Sequence, residues 1–94
     1  MAVEVRIPTI LRSYTGGEKA VTGEGATLSQ LIDHLEASHP GIKDRLLEGE
    51  GLRRFVNVYV NDEDVRFTGG LDTSVNDGDQ VVVLPAVAGG SGLL

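Results

Sequence analysis

Val3, Val5 and Ile7 alternate with Ala2, Glu4 and Arg6 at the start of the chain. A period of two marks a strand with one buried face, and Pro8 restricts its continuation. Beyond a polar segment containing Gly16-Gly17, expected to be a loose loop, Lys19 to Thr22 predict a second strand. The short separation favours an antiparallel hairpin over a parallel crossover. The period then changes. Leu28, Leu31, Ile32 and Leu35 recur at helical spacing, and Thr27 followed three residues later by Gln30 is a capping-box signature. A helix is predicted over 28–38. Pro40-Gly41 ends it, and Ile42, Leu46 and Leu47 suggest one further short turn against the core before Glu48-Gly49-Glu50-Gly51 opens an exposed loop.

Alternation is strongest from Phe55 to Val60, with Val56, Val58 and Val60 on one face and Phe55, Asn57 and Tyr59 on the other. The valine face is expected to meet the helix. Asn61-Asp62-Glu63-Asp64 predicts a polar turn into a short strand near Val65 to Phe67, and Asn76-Asp77-Gly78-Asp79 a turn into a last strand, Gln80 to Leu84. Pro85 stops that strand at its rim. The order is strand, strand, helix, two strands and a final strand. With a right-handed crossover through the helix, it closes as an α+β, β-grasp (ubiquitin-like) arrangement, a mixed sheet with one main helix on one face. The expected division is one domain over residues 1–84 and a flexible C-terminal tail over 85–94.

Length and composition narrow the function. With 94 residues and 40% hydrophobic content, the chain suffices for one compact domain. It has no long apolar run and no basic-then-apolar leader, so no membrane contact is expected and the cytoplasm is the expected address. It has no cysteine, so any sulfur chemistry must use a group added later. Eight basic against fourteen acidic residues give a formal charge of -6. That field repels nucleic acid; it serves solubility or steers the chain toward a basic partner.

Several constellations fail as sites. Gly23-Glu24-Gly25 lacks the third glycine of a dinucleotide loop, since position 28 is Leu28, and it reads as a turn into the helix. His34 and His39, five residues apart, do not share a helix face, so no metal site is expected. Asp62-Glu63-Asp64 and Asp77-Gly78-Asp79 do not match a calcium loop and read as hairpin turns. No catalytic residues, and no bound cofactor, are expected. The chain is expected not to be an enzyme.

The end of the chain differs from these. Leu84-Pro85-Ala86-Val87-Ala88-Gly89-Gly90 is followed by Ser91-Gly92-Leu93-Leu94. From Pro85 to Gly90 an extended chain reaches about 20 Å, and its small side chains offer little to pack. Two glycines without Cβ atoms let a backbone lie in a narrow slot close to a reactive phosphate. A glycine carboxylate is a poor electrophile until a partner converts it to an acyl adenylate.

Val60-Asn61-Asp62, Asp77-Gly78-Asp79 with Val81 and Val83, the segment Leu84 to Gly90, and Ile7-Pro8-Thr9-Ile10-Leu11 together resemble the ThiS/MoaD family of ubiquitin-like sulfur carriers. The family serves thiamine, molybdopterin, cysteine and some thio-metabolites, and the likeness is greatest to the carrier type of cysteine biosynthesis. The resemblance implies that an ATP-dependent activating adenylyltransferase/sulfurtransferase adenylates the carboxylate at Gly90. Conversion to a thiocarboxylate follows, and the sulfur passes to a sulfur-accepting biosynthetic enzyme. Val87, Ala88 and Gly89 would thread into the partner. Family members ready for activation end at the second glycine. Here four residues follow it, so the resemblance implies cleavage between Gly90 and Ser91, as JAMM-type metallopeptidases perform on similar extended carriers. An alternative is a protein modifier that passes the activated Gly90 to a lysine amine. A further one is a noncovalent docking domain. The expected docking face comprises Phe55 and Tyr59, opposite the valines, with Leu84 at the rim.

Overall fold

A computed structural model of the chain describes residues 2–49, 51–53 and 56–85. Strand β1 (Ala2–Arg6) buries Val3 and Val5 and exposes its alternate residues. The expected loose loop after it is instead a 3-10 helix, Thr9–Thr15, pinned by buried Leu11 and Thr15. The Thr15 hydroxyl lies 3.2 Å from the Arg12 carbonyl and 3.0 Å from that of Glu18, which ties both ends of the segment down. Strand β2 (Ala20–Glu24) then runs antiparallel to β1. Gly23 faces inward opposite Val3, where a Cβ would lie 2.6 Å from Leu31 Cδ1 and 3.1 Å from Leu35 Cδ2. Gly23 is therefore a close-packing strand position against the helix, not the turn residue expected.

Helix α1 (Leu28–Ser38) has the predicted bounds and buries Leu28, Leu31, Ile32 and Leu35. Thr27 Oγ1 accepts from the Gln30 N–H at 3.3 Å, while Gln30 Oε1 accepts from the N–H of Ala26, one residue before the usual reciprocal partner. Helix α2 (Ile42–Leu46) starts where the Glu36 carboxylate accepts from the N–H groups of Gly41 and Lys43. Those two hydrogen bonds, Lys43's first, hold the Glu36 carboxyl below its ordinary pKa. The expected loop after α2 is a small hairpin of β3 (Leu47–Glu48) and β4 (Gly51–Leu52).

Strand β5 (Val56–Val60) turns through Asn61 and Asp62 into β6 (Glu63–Asp64). Both turn residues have positive φ, 51° and 73°, as a tight two-residue hairpin with right-handed strand twist requires. The strand expected near Val65–Phe67 is a 3-10 helix. The Asp64 carboxylate accepts from the Arg66 N–H at 2.9 Å, and the turn drives Val65 fully into the core. Strand β7 (Gln80–Pro85) closes the sheet, so Pro85 is part of it, paired with Val56.

The five-stranded sheet has the order β2-β1-β7-β5-β6. β1 and β7 are parallel and the other pairs antiparallel. Val3, Val5, Val58, Val60, Val81 and Val83 face α1 and form one core with its leucines. Each such side chain, fully buried, contributes about 1.5–3 kcal/mol. This is the β-grasp fold. Among the described residues, no helix packs across the middle of the sheet's other face.

Candidate functional site

The site is the rim from which the chain leaves the sheet. Because β7 lies parallel to β1 and antiparallel to β5, its last residues stand beside the end of β1 and the start of β5. Gly89, Gly90, Ala88, Val87 and Ser91 lie outside the described residues, and so does Phe55. The base of the tail can be described. Two depressions flank it, and both are lined by Pro8, Ile10, Leu84 and Pro85. Ile10 is 69% exposed and Leu84 45%.

Tyr59 and Leu84 share the open face of the sheet. Tyr59 is paired with Val82 on one side and Asp64 on the other, and Val82 is paired with Arg6. One row thus runs Arg6, Val82, Tyr59, Asp64. Leu84 stands in the next row opposite Asn57, which accepts a hydrogen bond from the Arg66 guanidinium. Arg66 also donates to the Val56 carbonyl at 2.6 Å, bracing the first turn of β5. Tyr59 is half-buried, so its ring covers sheet as well as offering a surface.

Sequence reasoning did not single out Ile10 for docking. The available signal was the doublet Ile10-Leu11 inside a polar stretch: on a 3-10 helix one points inward and the other outward. The sign of the local charge was also missed. Arg6, Arg12 and Lys19 line one depression and Arg45 and Arg53 the other, and among the described residues no Asp or Glu lines either.

The described residues of this rim bring together no nucleophile with a base and its orienting acid. Among the described residues no three His, Cys, Asp or Glu side chains cluster as metal ligands. His34 is occupied in structure, its Nδ1 accepting from the Glu24 N–H at 3.2 Å. Among the described residues no helix is long and apolar enough to cross a membrane. The arrangement can make contacts around the point where the chain leaves β7.

Comparison with known proteins agrees with that geometry. Sulfur carrier protein CysO of Mycobacterium tuberculosis is 58% identical over 93 residues, covering 96% of this chain and 100% of that one. Small archaeal modifier protein 3 of Haloferax volcanii is 34% identical over 93 residues, with 96% and 100% covered. Among solved structures, a chain of the Amycolatopsis orientalis BexX/CysO complex superposes with a TM-score of 0.89 at 62% identity, covering 94% of this chain and 99% of that chain. The ThiS family model matches residues 5–90, a span that reaches the second glycine of the tail. The chain belongs to the ThiS family.

Proposed function

We propose that this chain is a sulfur carrier, a protein co-substrate whose reactive group is the carboxylate of Gly90. The observation that carries the reading is the exit of β7 at Pro85. Of the three large apolar side chains exposed among the described residues, two, Ile10 and Leu84, surround that exit. A tail that begins at a contact surface and ends in two glycines suits insertion into a partner's narrow site. The naming of the 58%-identical relative as a sulfur carrier supports the same role.

Hydrolysis of the Gly90–Ser91 amide, by a JAMM-type metallopeptidase, first frees the carboxylate. An activating enzyme then directs that carboxylate onto the α-phosphorus of ATP, with pyrophosphate leaving. A sulfide equivalent displaces AMP from the acyl adenylate and leaves a thiocarboxylate. The thiocarboxylate sulfur adds to the electrophilic carbon of an activated double bond held by an accepting enzyme, the neighbouring carbon taking up a proton, or displaces a leaving group from that carbon. Water later cleaves the resulting thioester into the acceptor's thiol and the Gly90 carboxylate. ATP belongs to the activating enzyme, and this chain holds no cofactor of its own. Cysteine is the leading product. A thiosugar, molybdopterin or thiamine precursor would use the same steps, and a protein 62% identical to this one is found in a complex with BexX.

Incubating the 94-residue chain and a form ending at Gly90 with an activating enzyme, ATP and sulfide tests this. Intact mass should reveal sulfur replacing oxygen only in the shorter form. Equal conversion of the intact Leu94-terminated chain would overturn the processing step, and no conversion of either would overturn the carrier role. One observation favours a second reading, protein modification through Gly90 on lysine: the 34% likeness to a small archaeal modifier protein. A ladder of larger covalent adducts in place of a free thiocarboxylate would select it.

A further inference from the structure

We propose that the tail-exit rim is a basic collar that orients this acidic protein toward a protein partner whose docking site is apolar at its centre and carboxylate-rich at its edges. The proposal deepens the carrier reading and rests on it for the identity of the tail as the inserted group. The chain carries a formal charge of -6, yet five of its eight Lys and Arg residues line the two depressions beside Leu84 and Pro85. The opposite end of the sheet, where β7 begins, carries Glu24, Asp62, Glu63, Asp77 and Asp79. A six-residue strand separates the ends by roughly 17–20 Å. That exceeds the screening length of about 8 Å at physiological ionic strength, so an approaching surface meets each end separately.

Two of the collar cations, Arg12 and Arg45, are held in place without being neutralised. Arg12 Nε donates to the Ile7 carbonyl at 3.1 Å, and Arg45 Nε donates to the Tyr14 hydroxyl at 2.6 Å while its guanidinium stands 5.5 Å from the Tyr14 ring centroid. These partners are neutral. Among the described residues no carboxylate lies within ion-pair distance of Arg6, Arg12, Lys19 or Arg45. Arg53 has one loose contact, 4.0 Å to Glu48. Between the two cationic sides stand Ile10 and Leu84. Apolar side chains flanked on both sides by cations, one on each side held by a neutral partner, match a protein surface of complementary pattern. Nucleic acid would gain nothing from the apolar centre and would be repelled by the rest of the molecule.

The partner probe is BexX of Amycolatopsis orientalis, which forms a complex with a carrier 62% identical to this chain. Its association rate with the wild-type chain, with Arg6→Glu/Lys19→Glu and with Glu24→Lys/Glu63→Lys would be followed at low and high salt. All four positions are exposed, so the variants should fold, which melting curves check. The collar variant should associate about tenfold more slowly at low salt and lose most of the wild-type salt dependence, as rim charges govern encounter. The far-end variant should change the rate less than about twofold, although it shifts net charge by the same amount in the opposite direction. Equal and opposite effects of the two variants would overturn the proposal in favour of net charge alone, and an absent BexX complex would overturn it outright. So would an oligonucleotide that binds tightly through the collar. Loading of the wild-type Gly90-ended chain by an activating enzyme, ATP and sulfide is measured beside these rates, so failure of the collar and failure of the carrier role give different results.

Discussion

Where β7 begins, polar side chains close on one another; where it leaves the sheet, they face outward. At the first end Asn61 Oδ1 accepts from the Gln80 N–H and Asn61 Nδ2 donates to Asp79 Oδ1, both at 3.0 Å. Asp79 Oδ2 accepts from the Asn76 N–H at 2.8 Å, and Asp77 Oδ1 from the Ala2 N–H at the same distance. At the second end Ile10 and Leu84 are exposed and the nearby cations have neutral partners. The first end spends its polar groups on joining β1, β5 and β7 into one sheet. The second leaves apolar area and charge available to another molecule. Stability and contact are thus assigned to opposite ends of the same strands.

The comparison predicts its largest effect at the tail. Removing Gly89 and everything after it should abolish sulfur loading entirely while changing stability by no more than about 0.5 kcal/mol, since the core formed by the described residues is complete without them. Intact mass and thermal melting on the same samples check both halves. A large fall in melting temperature would mean that the tail end is a structural end too.

Next comes the network at the far end. Asn61→Ala removes two side-chain hydrogen bonds and places a Cβ-bearing residue without a local partner at φ 51°. The expected cost is about 1–3 kcal/mol by urea denaturation, with sulfur loading of the processed form retained. If loading falls while stability holds, the division between the ends is misdrawn.

A smaller effect should appear on acidification. Asp79 is held below its ordinary carboxylate pKa, first by the Asn61 side-chain hydrogen bond and then by the Asn76 N–H. A depressed folded-state value means that the charged form stabilises the fold. The contribution is complete above the unfolded value of about 3.9 and is lost as pH falls through the folded value. Wild type should therefore lose more melting temperature than Asp79→Asn between about pH 5 and pH 2. Glu36 is depressed in the same direction but is present in both proteins, so it cancels from the difference. Parallel melting curves for the two proteins would show that Asp79 does not stabilise this end through its charge.

The parts of this picture differ in how far the sequence discloses them. α1 was legible to the residue because Thr27, the spacing of its leucines and Pro40-Gly41 are all local signals. The sheet was legible through its valine alternation and its turn residues. The 3-10 helices at Thr9–Thr15 and Val65–Phe67 were not, because they depend on one or two side chains reaching a core that other segments build. Gly23 read as a turn residue for the same reason, since its contact is Leu31 across the layer. The collar was the least legible feature. Arg6, Lys19, Arg45 and Arg53 come from four separate segments, and only the pairing of β1 with β2 and β7 and the packing of α2 bring them to one rim. The two glycines stood out by their lack of Cβ atoms at the end of a small-residue segment, their part in activation came from the resemblance, and they lie outside the described residues.

The smallest expected effect on stability belongs to the apolar centre of the tail-exit end, and it is also the most direct test of what that end is for. Ile10 is 69% exposed, so Ile10→Ser forfeits only the buried minority of a side chain worth about 1.5–3 kcal/mol when wholly covered. A cost of about 0.5 kcal/mol is expected, and Leu84→Ser should behave similarly for the same reason. Contact with a partner would cover both side chains completely, so the same substitutions should weaken docking by 1 kcal/mol or more, about fivefold to tenfold in affinity. Tyr59→Ala separates the neighbouring surface: its half-buried ring should cost more stability than Ile10→Ser, and it weakens docking only if the partner extends along the row from Arg6 to Asp64. Melting curves and equilibrium binding to an activating enzyme would rank the three variants. If Ile10→Ser and Leu84→Ser bind as wild type does, the exposed apolar area at the rim is not a contact surface, and the contrast between the two ends reduces to charge.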